Sequence, residues 1–176
     1  LTTKLPIELR IATPADAELL AELGALTMYE AFAADNTPEN MAAYVTGAFT
    51  PDRLRAELTD PRATFWLAKH GTDVAGYAKL NRGGRKPRLL TGQRAVELQR
   101  IYVKNGAQGL GLGRLLLETC LRTARDEGYQ TVFLGVWEKN HRARAFYEHL
   151  GFARCGWHYF QFGSERQRDF WMQIAL

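Results

Sequence analysis

Between residues 97 and 114 the chain reads Glu-Leu-Gln-Arg-Ile-Tyr-Val-Lys-Asn-Gly-Ala-Gln-Gly-Leu-Gly-Leu-Gly-Arg, and these residue types at this spacing suit the capture of an anion. Glu97 to Val103 reads as a strand. A short polar corner follows, then a turn with glycine at 109, 111 and 113, then a helix starting near Gly111. In that helix Leu117, Cys120, Leu121 and Ala124 recur at the i, i+3, i+4, i+7 spacing of one face. A strand feeding a Gly-rich turn at a helix start aims several unpaired N–H groups at one spot, where the helix dipole favours negative charge. Glycine there lets a diphosphate approach the backbone without meeting a Cβ.

Spacing narrows the choice of phosphate ligand. A P-loop needs Lys-Ser/Thr after its last glycine, and here Gly113 is followed by Arg114 and Leu115. A dinucleotide fingerprint needs Gly-x-Gly-x-x-Gly, whereas Gly109, Gly111 and Gly113 are spaced two and two. What remains is the pattern Gln108-x-x-Gly111-x-Gly113. Its alternative reading is a tight strand-to-helix turn with no ligand.

The elements that must position this turn follow from periodicity. Leu5 to Ala12 alternates as a strand, and Thr13-Pro14-Ala15-Asp16 starts a helix with a hydroxyl, a proline and an acid. Leu19, Leu23 and Leu26 are the expected buried stripe of that helix, which runs to about Phe32. Helical signals resume over 38–48 and from Thr50-Pro51-Asp52 to Leu58. Ala63 to His70 and Val74 to Leu80 form an expected antiparallel hairpin. Residues 82–94, with five basic residues and no acid, read as an exposed flexible loop, with steering of an anionic cofactor as a further reading. Thr131 to Trp137 is an apolar run suited to a strand buried on both faces. Asn140 can cap a helix over 141–150, and residues 152–176 read as a hairpin turning near Gly163-Ser164-Glu165. The order β-α-α-α-β-β-β-α-β-α-β-β predicts an α/β mixed sheet with helices on both faces.

Bulk properties narrow the function classes. The 176 residues, 46% hydrophobic and 24% charged, suit one domain that buries about 70% of its unfolded surface. A net charge of +4 is too mild to argue for nucleic acid. No run approaches the length of a membrane span and the N-terminus lacks a signal-peptide pattern, so no membrane partner is expected. Cys120 and Cys155 have neither metal nor redox spacing, which suits a reduced cytoplasmic setting, and His70, His141, His149 and His158 give no metal spacing either.

Two segments together carry a family resemblance. The Gln108-x-x-Gly111-x-Gly113 turn is similar to the Gln/Arg-x-x-Gly-x-Gly/Ala signature of the GNAT acetyltransferase superfamily. Asn-His-Arg-Ala-Arg-Ala-Phe-Tyr-Glu-His-Leu-Gly-Phe, residues 140–152, resembles its Asn-x-x-Ala-x-x-Phe-Tyr-x-x-x-Gly-Phe segment. Further likenesses over 38–49, 97–103, 135–140 and 156–169 resemble the bacterial spermine/spermidine-acetylating branch, across essentially the whole chain. The resemblance implies a single GNAT domain over 1–176, with a mostly antiparallel sheet splayed at a central parallel strand pair. It implies transfer of an acetyl group from acetyl-CoA to a primary amine, a polyamine such as spermidine or spermine by preference. A protein or peptide acetyltransferase and a non-catalytic acyl-CoA-binding module are the alternatives.

The resemblance also implies roles. Ile101, Tyr102 and Val103 would run along the cofactor's pantetheine arm, lying between the splayed strands like an added strand. Gln108, Gly109, Leu110, Gly111, Leu112, Gly113 and Arg114 would surround its pyrophosphate, although a solvated helix arginine is the other reading of Arg114. Asn140 would be both helix cap and cofactor contact. Tyr147 is expected to protonate the departing thiolate, since a phenol of pKa about 10 holds its proton at neutral pH; its other reading is a core aromatic. Glu97 is either the general base or an ordinary strand-end carboxylate. The branch has a second acid where this chain has Gln99, a departure that bears on both the base and the polyamine. Glu30, Asp35 and Glu39 either line the acceptor side or are simply solvated. His158 is read as a structural strand histidine. Phe170 and Trp171 in the final hairpin offer an apolar surface, from which a homodimer is expected.

Overall fold

The computed structural model describes residues 5–176. In these residues the chain forms β1 (Ile7–Ile11), α1 (Ala17–Phe32), α2 (Pro38–Ala48), α3 (Pro51–Thr59), β2 (Ala63–His70) and β3 (Asp73–Asn81). There follow β4 (Ala95–Val103), α4 (Leu112–Asp126), β5 (Thr131–Trp137), α5 (His141–His149), β6 (Ala153–Phe162) and β7 (Glu165–Ala175). The helix starts are where the local chemistry puts them. Thr37 and Thr50 cap α2 and α3, accepting from the N–H of Asn40 and Arg53, and each is followed by proline at the first turn. A short 3-10 turn over Pro14–Asp16 leads into α1, and Asp16 accepts from the Thr13 N–H at 2.8 Å.

The strands make one sheet in the order β1-β2-β3-β4-β5-β7-β6, antiparallel at every junction except the parallel pair β4–β5. Alternation along the strands sorts side chains onto two faces. One face carries α4 and α5, with Leu80, Leu98, Val132 and Leu134 packed against Leu116, Leu117, Cys120 and Tyr147. The other carries α1 to α3, with Phe65, Leu67 and Tyr77 packed against Leu20, Leu23, Met28 and Leu54. The sheet is therefore sandwiched along its centre, as the mixed order of elements requires.

Three expectations change. The buried stripe of α1 runs through Leu20, Leu23, Gly24, Thr27 and Met28, while Leu26 is exposed. Gly24 is the reason: a Cβ there would collide with the Phe49 ring, so the helix turns its glycine toward α2's end rather than its third leucine. The loop over 82–94 is anchored, because Leu90 is buried against Ala95, Phe133 and Trp171. Arg82 pairs with Glu127 beyond the C-terminal end of α4, remote from the glycine turn at the helix start, so it does not serve that turn. Phe170 and Trp171 are buried in the sheet and offer no dimer surface; the exposed aromatics of the hairpin are Trp157 and Tyr159.

Candidate active site

The parallel ladder between β4 and β5 is short. It pairs Ala95 with Thr131, Val96 with Val132 and Glu97 with Phe133, and there it stops, although β4 continues to Val103 and β5 to Trp137. Beyond Glu97 the strands part. A bulge lies just past that point: Leu80 pairs with Leu98 and Lys79 with Arg100, leaving Gln99 as the extra residue. The opening is a cavity of about 690 Å³ that reaches both faces of the sheet. Glu97, Gly135 and Trp137 border it on the α1–α3 side, and Asn140, Ala143 and Tyr147 on the α5 side.

Past the bulge, β4 presents a free backbone edge to this opening. Lys104 N–H donates to the Ala75 carbonyl at 2.8 Å, so strand alternation turns Tyr102 toward β3 and the backbone groups of Ile101 and Val103 toward the gap. The Val103 carbonyl accepts from the Gln108 side-chain amide at 3.2 Å, and the same amide donates to Asn105 Oδ1 at 3.0 Å. Gln108 thus ties the turn to the strand end through its side chain.

The turn itself has the character of an anion cradle. Gly109 and Gly111 have φ of 82° and 87°, the left-handed region that costs a residue with a Cβ about 1–2 kcal/mol. Among the described residues, the main-chain N–H groups of residues 109 to 114 make no hydrogen bond, and the first intrahelical donor is Leu115, to the Gly111 carbonyl at 3.0 Å. Six consecutive amides at a helix start form a site suited to a diphosphate. Leu112 is buried and anchors the helix, and Leu110 packs partly against the same core. The Arg114 guanidinium points along the helix to Glu118 at 2.8 Å, on the exposed face.

Glu97 is the carboxylate at the last paired rung. Burial raises its pKa from 4.5 to about 7, against the opposing pull of Lys79, Asn81 and Arg100. Its only hydrogen bond among the described residues is a long one from Asn81 Nδ2, at 3.4 Å. Gly84 of the 82–94 loop covers it, since a Cβ at that glycine would collide with the Glu97 carboxylate. Beneath lies a buried triad. Glu57 accepts from Lys79 at 2.7 Å and from Arg100 at 2.8 and 3.2 Å, so two cations share one carboxylate. The surplus positive charge keeps Glu97 from rising further.

Tyr147, on α5, packs against Phe146 and Phe152 at ring distances of 5.4 and 5.7 Å. Its hydroxyl makes no hydrogen bond within the described residues, and burial pushes the phenol up, so it stays protonated at neutral pH. Asn140 caps α5 by accepting from the Ala143 N–H at 3.1 Å and also borders the cavity. Gln108, Gly109 and Gly111 thus meet at the turn, while Glu97, Ile101, Tyr102, Asn140 and Tyr147 meet at the opening.

The three acids expected at the acceptor side do not join them. Glu30 accepts from the Asn105 N–H at 2.8 Å near the turn, Asp35 borders a separate small depression, and Glu39 is exposed on α2. The α1–α3 side of the cavity is instead lined by residues to which the sequence assigned no acceptor role. Phe32, Tyr44, Trp137 and Phe162 form a connected aromatic wall, with Phe32 to Trp137 at 6.0 Å and Tyr44 to Phe162 at 4.8 Å. His158 and Asp169 complete it. The β6–β7 turn closes this side by docking on α2: Ser164 donates to Asn40 Oδ1 through N at 2.8 Å and Oγ at 3.0 Å. Gln167 donates to Asn36 Oδ1 at 2.6 Å. Among the described residues there is no cluster of three or more potential metal ligands, and no helix is long and apolar enough to cross a membrane.

Comparison with known proteins agrees with this architecture. The model of the acetyltransferase (GNAT) family matches residues 26–152. An uncharacterised N-acetyltransferase of Lactobacillus delbrueckii subsp. lactis is 34% identical over 150 residues, covering 85% of this chain and 86% of the relative. The N-alpha-acetyltransferase RimI of Mycobacterium tuberculosis is 32% identical over 151 residues, covering 86% and 81%. Among solved structures, the PaiA N-acetyltransferase of Thermoplasma acidophilum in complex with coenzyme A superposes with a TM-score of 0.81. It does so at 19% identity, over 98% of this chain and 100% of that one. The family match over most of the chain and relatives above 30% identity across its length lead to one conclusion: the chain belongs to the GNAT acetyltransferase family, the N-acyltransferases that use acetyl-CoA as co-substrate.

Proposed function

We propose that this acetyltransferase acts on the primary amino group of a small molecule, by direct attack of the amine on the thioester. The observation that carries the reading is Glu97, a buried carboxylate with a pKa of about 7 at the point where β4 and β5 part. A primary ammonium of pKa about 10 must lose a proton before it can attack, and a base poised near neutral pH is suited to take it. The amine nitrogen then bonds to the thioester carbon and the C–S bond breaks. Tyr147 gives its proton to the leaving thiolate, the new amide nitrogen sheds its second proton, and that proton restores Tyr147 by way of solvent. A main-chain N–H at the Gln99 bulge is the donor we assign to the oxyanion. The six free amides of residues 109 to 114 would hold the pyrophosphate, with Ile101 and Val103 offering backbone groups to the arm.

Two acceptor classes compete with a small monoamine. The sequence likeness to the polyamine-acetylating branch favours spermidine or spermine, yet Glu30, Asp35 and Glu39, the acids that would suit a polycation, lie outside the cavity. The cavity's acids are Glu97 and Asp169, balanced by Arg53 and Arg100. The relative named as an N-alpha-acetyltransferase favours a peptide N-terminus. Against that stands the docking of the β6–β7 turn on α2, which bridges the acceptor side where an extended peptide would need an open groove.

The test is thiol release from acetyl-CoA with a panel of spermidine, spermine, small apolar amines and short peptides with free N-termini. The reading expects fastest release with a small apolar amine. Release with peptides alone would replace it with the N-terminal reading, and binding of acetyl-CoA with no amine-dependent release would reduce the chain to a binding module.

A further inference from the structure

The sequence reads His158 as a structural strand histidine and gives Asp169 no role, but the structure leaves one buried atom of that histidine without a partner among the described residues. His158 Nε2 is buried and makes no hydrogen bond within the described residues. The rest of the ring is fixed. It stacks on Trp171 at 3.9 Å, and its Nδ1 lies 3.1 Å from the Tyr159 carbonyl. A carbonyl can only accept, so Nδ1 carries the proton and Nε2 presents a lone pair. Burial holds the ring's pKa below its ordinary value, which keeps it neutral and keeps that lone pair free. A buried acceptor without a donor is destabilising, so its presence at the edge of a cavity points to a ligand that supplies the donor.

The backbone shows where that donor would sit. His158 on β6 is paired directly with Asp169 on β7, and Asp169 with Trp137 on β5. Both side chains lean over Gly135, the next residue after Phe133 on the same face of β5. A Cβ placed on Gly135 would stand 3.1 Å from His158 Nε2 and 3.7 Å from Asp169 Oδ2. Trp171 would stand 3.4 Å away, so the glycine lets the imidazole and the carboxylate close down over β5 and bring their acceptors to one edge of the cavity. Glu97 lies one rung away, opposite Phe133, on the same face. Burial and the neighbouring Glu138 raise Asp169 to about 6, so it too is a carboxylate short of partners.

We infer that His158 Nε2 and Asp169 Oδ2 form the seat of the acceptor's amino group, above Gly135 and beside Glu97, and that the acceptor is a primary amine on an apolar or aromatic body. This rests on the acetyltransferase reading for its chemistry, but the seat itself is a binding site with its own readout. A primary ammonium has three N–H donors, and the face offers three acceptors: the imidazole, the Asp169 carboxylate and the Glu97 carboxylate. The first two hold the nitrogen; the third takes its proton. The aromatic wall of Phe32, Tyr44, Trp137 and Phe162 then receives the body of the molecule. Arg100, the buried cation bordering the cavity, is already held by Glu57, so it does not call for an acidic group on the acceptor.

The experiment follows the ring nitrogens of His158 by ¹⁵N NMR in the full chain loaded with coenzyme A, titrated with 2-phenylethylamine and, separately, with spermidine. The unprotonated Nε2 signal of His158 is expected to move with 2-phenylethylamine, while those of His70, His141 and His149 stay put. In kinetics with 2-phenylethylamine, His158→Leu should raise the amine KM about tenfold or more with the acetyl-CoA KM unchanged, and His158→Gln, whose amide oxygen can replace Nε2, should recover much of it. Gly135→Ala, which covers Nε2 with a methyl group, should act like His158→Leu without removing the ring. A His158 signal unmoved by millimolar 2-phenylethylamine overturns the inference, as does an amine KM within twofold of wild type in both His158→Leu and Gly135→Ala. A His158 signal that answers only to spermidine keeps the seat and overturns the apolar-body assignment. A signal that moves in a protein showing no amine-dependent thiol release keeps the seat and overturns the catalytic reading instead.

Discussion

Glu97→Gln should make the protein more stable in alkaline solution while stripping it of most of its activity, and both effects come from one property of the site. The fold holds this carboxyl at about 7, against an ordinary 4.5, mainly by burying it. Below pH 4.5 folded and unfolded chains both keep the proton, and the shift has no effect on stability. Between 4.5 and 7 the unfolded chain releases it and the folded chain does not, so stability falls as pH rises. Above 7 the whole penalty is in place, about 3 kcal/mol at about 1.4 kcal/mol per tenfold. Because Glu97 is partly open to the cavity and glutamine leaves its own amide to satisfy, a gain of about 1–2 kcal/mol is expected at alkaline pH. Urea denaturation of wild type and variant, near pH 8 and again near pH 4.5, reads this directly. The difference should be present at the higher pH and vanish at the lower. The wild-type kcat/KM should rise through pH 7 as the base loses its proton, and the variant should lose that limb with a fall of roughly a hundred- to ten-thousand-fold. A variant destabilised equally at both pH values, with its rate profile intact, would refute the account of Glu97 as a strained base.

Other perturbations probe the parts around it. Gly111→Ala forces a side chain into φ 87° and should cost about 1–2 kcal/mol in denaturation while weakening acetyl-CoA binding in calorimetry. Glu57→Gln leaves Lys79 and Arg100 buried without a counter-charge and should destabilise the fold by about 3–5 kcal/mol. Where the variant still folds, the two uncompensated cations should also lower the Glu97 pKa and shift the acidic limb of the rate profile to lower pH. Gly24→Ala drives a methyl group into the Phe49 ring, and a loss of about 1–3 kcal/mol in thermal or urea unfolding is expected.

What the sequence made legible was local. The glycine turn, the capping residue Asn140 and the final hairpin each declare themselves within a dozen residues, because caps, left-handed glycines and alternation are short-range physics. The parting of β4 from β5 was reached through resemblance alone, since no spacing within either strand records where a ladder stops. The triad of Glu57, Lys79 and Arg100 was missed because its members lie on α3, β3 and β4 and meet only through register. A lysine and an arginine inside otherwise apolar strands were the available signal. His158 was read as structural, and Asp169 given no role, for the same reason: their pairing across β6 and β7 depends on a bulge between Arg154 and Gly156. Exposure misled twice, at Leu26 and at Phe170 with Trp171, where the rotation of a helix and the cover of a sheet were set by residues distant in the chain.

In the proposed mechanism the chemistry takes place in the gap between β4 and β5, with Tyr147 delivering a proton to the leaving thiolate. The most direct measurement is the rate of amine-dependent thiol release by Tyr147→Phe at saturating acetyl-CoA, relative to wild type. Loss of the hydroxyl alone should lower that rate by roughly a hundred- to ten-thousand-fold with acetyl-CoA affinity preserved. A Tyr147→Phe enzyme that turns over within a few-fold of wild type would contradict it.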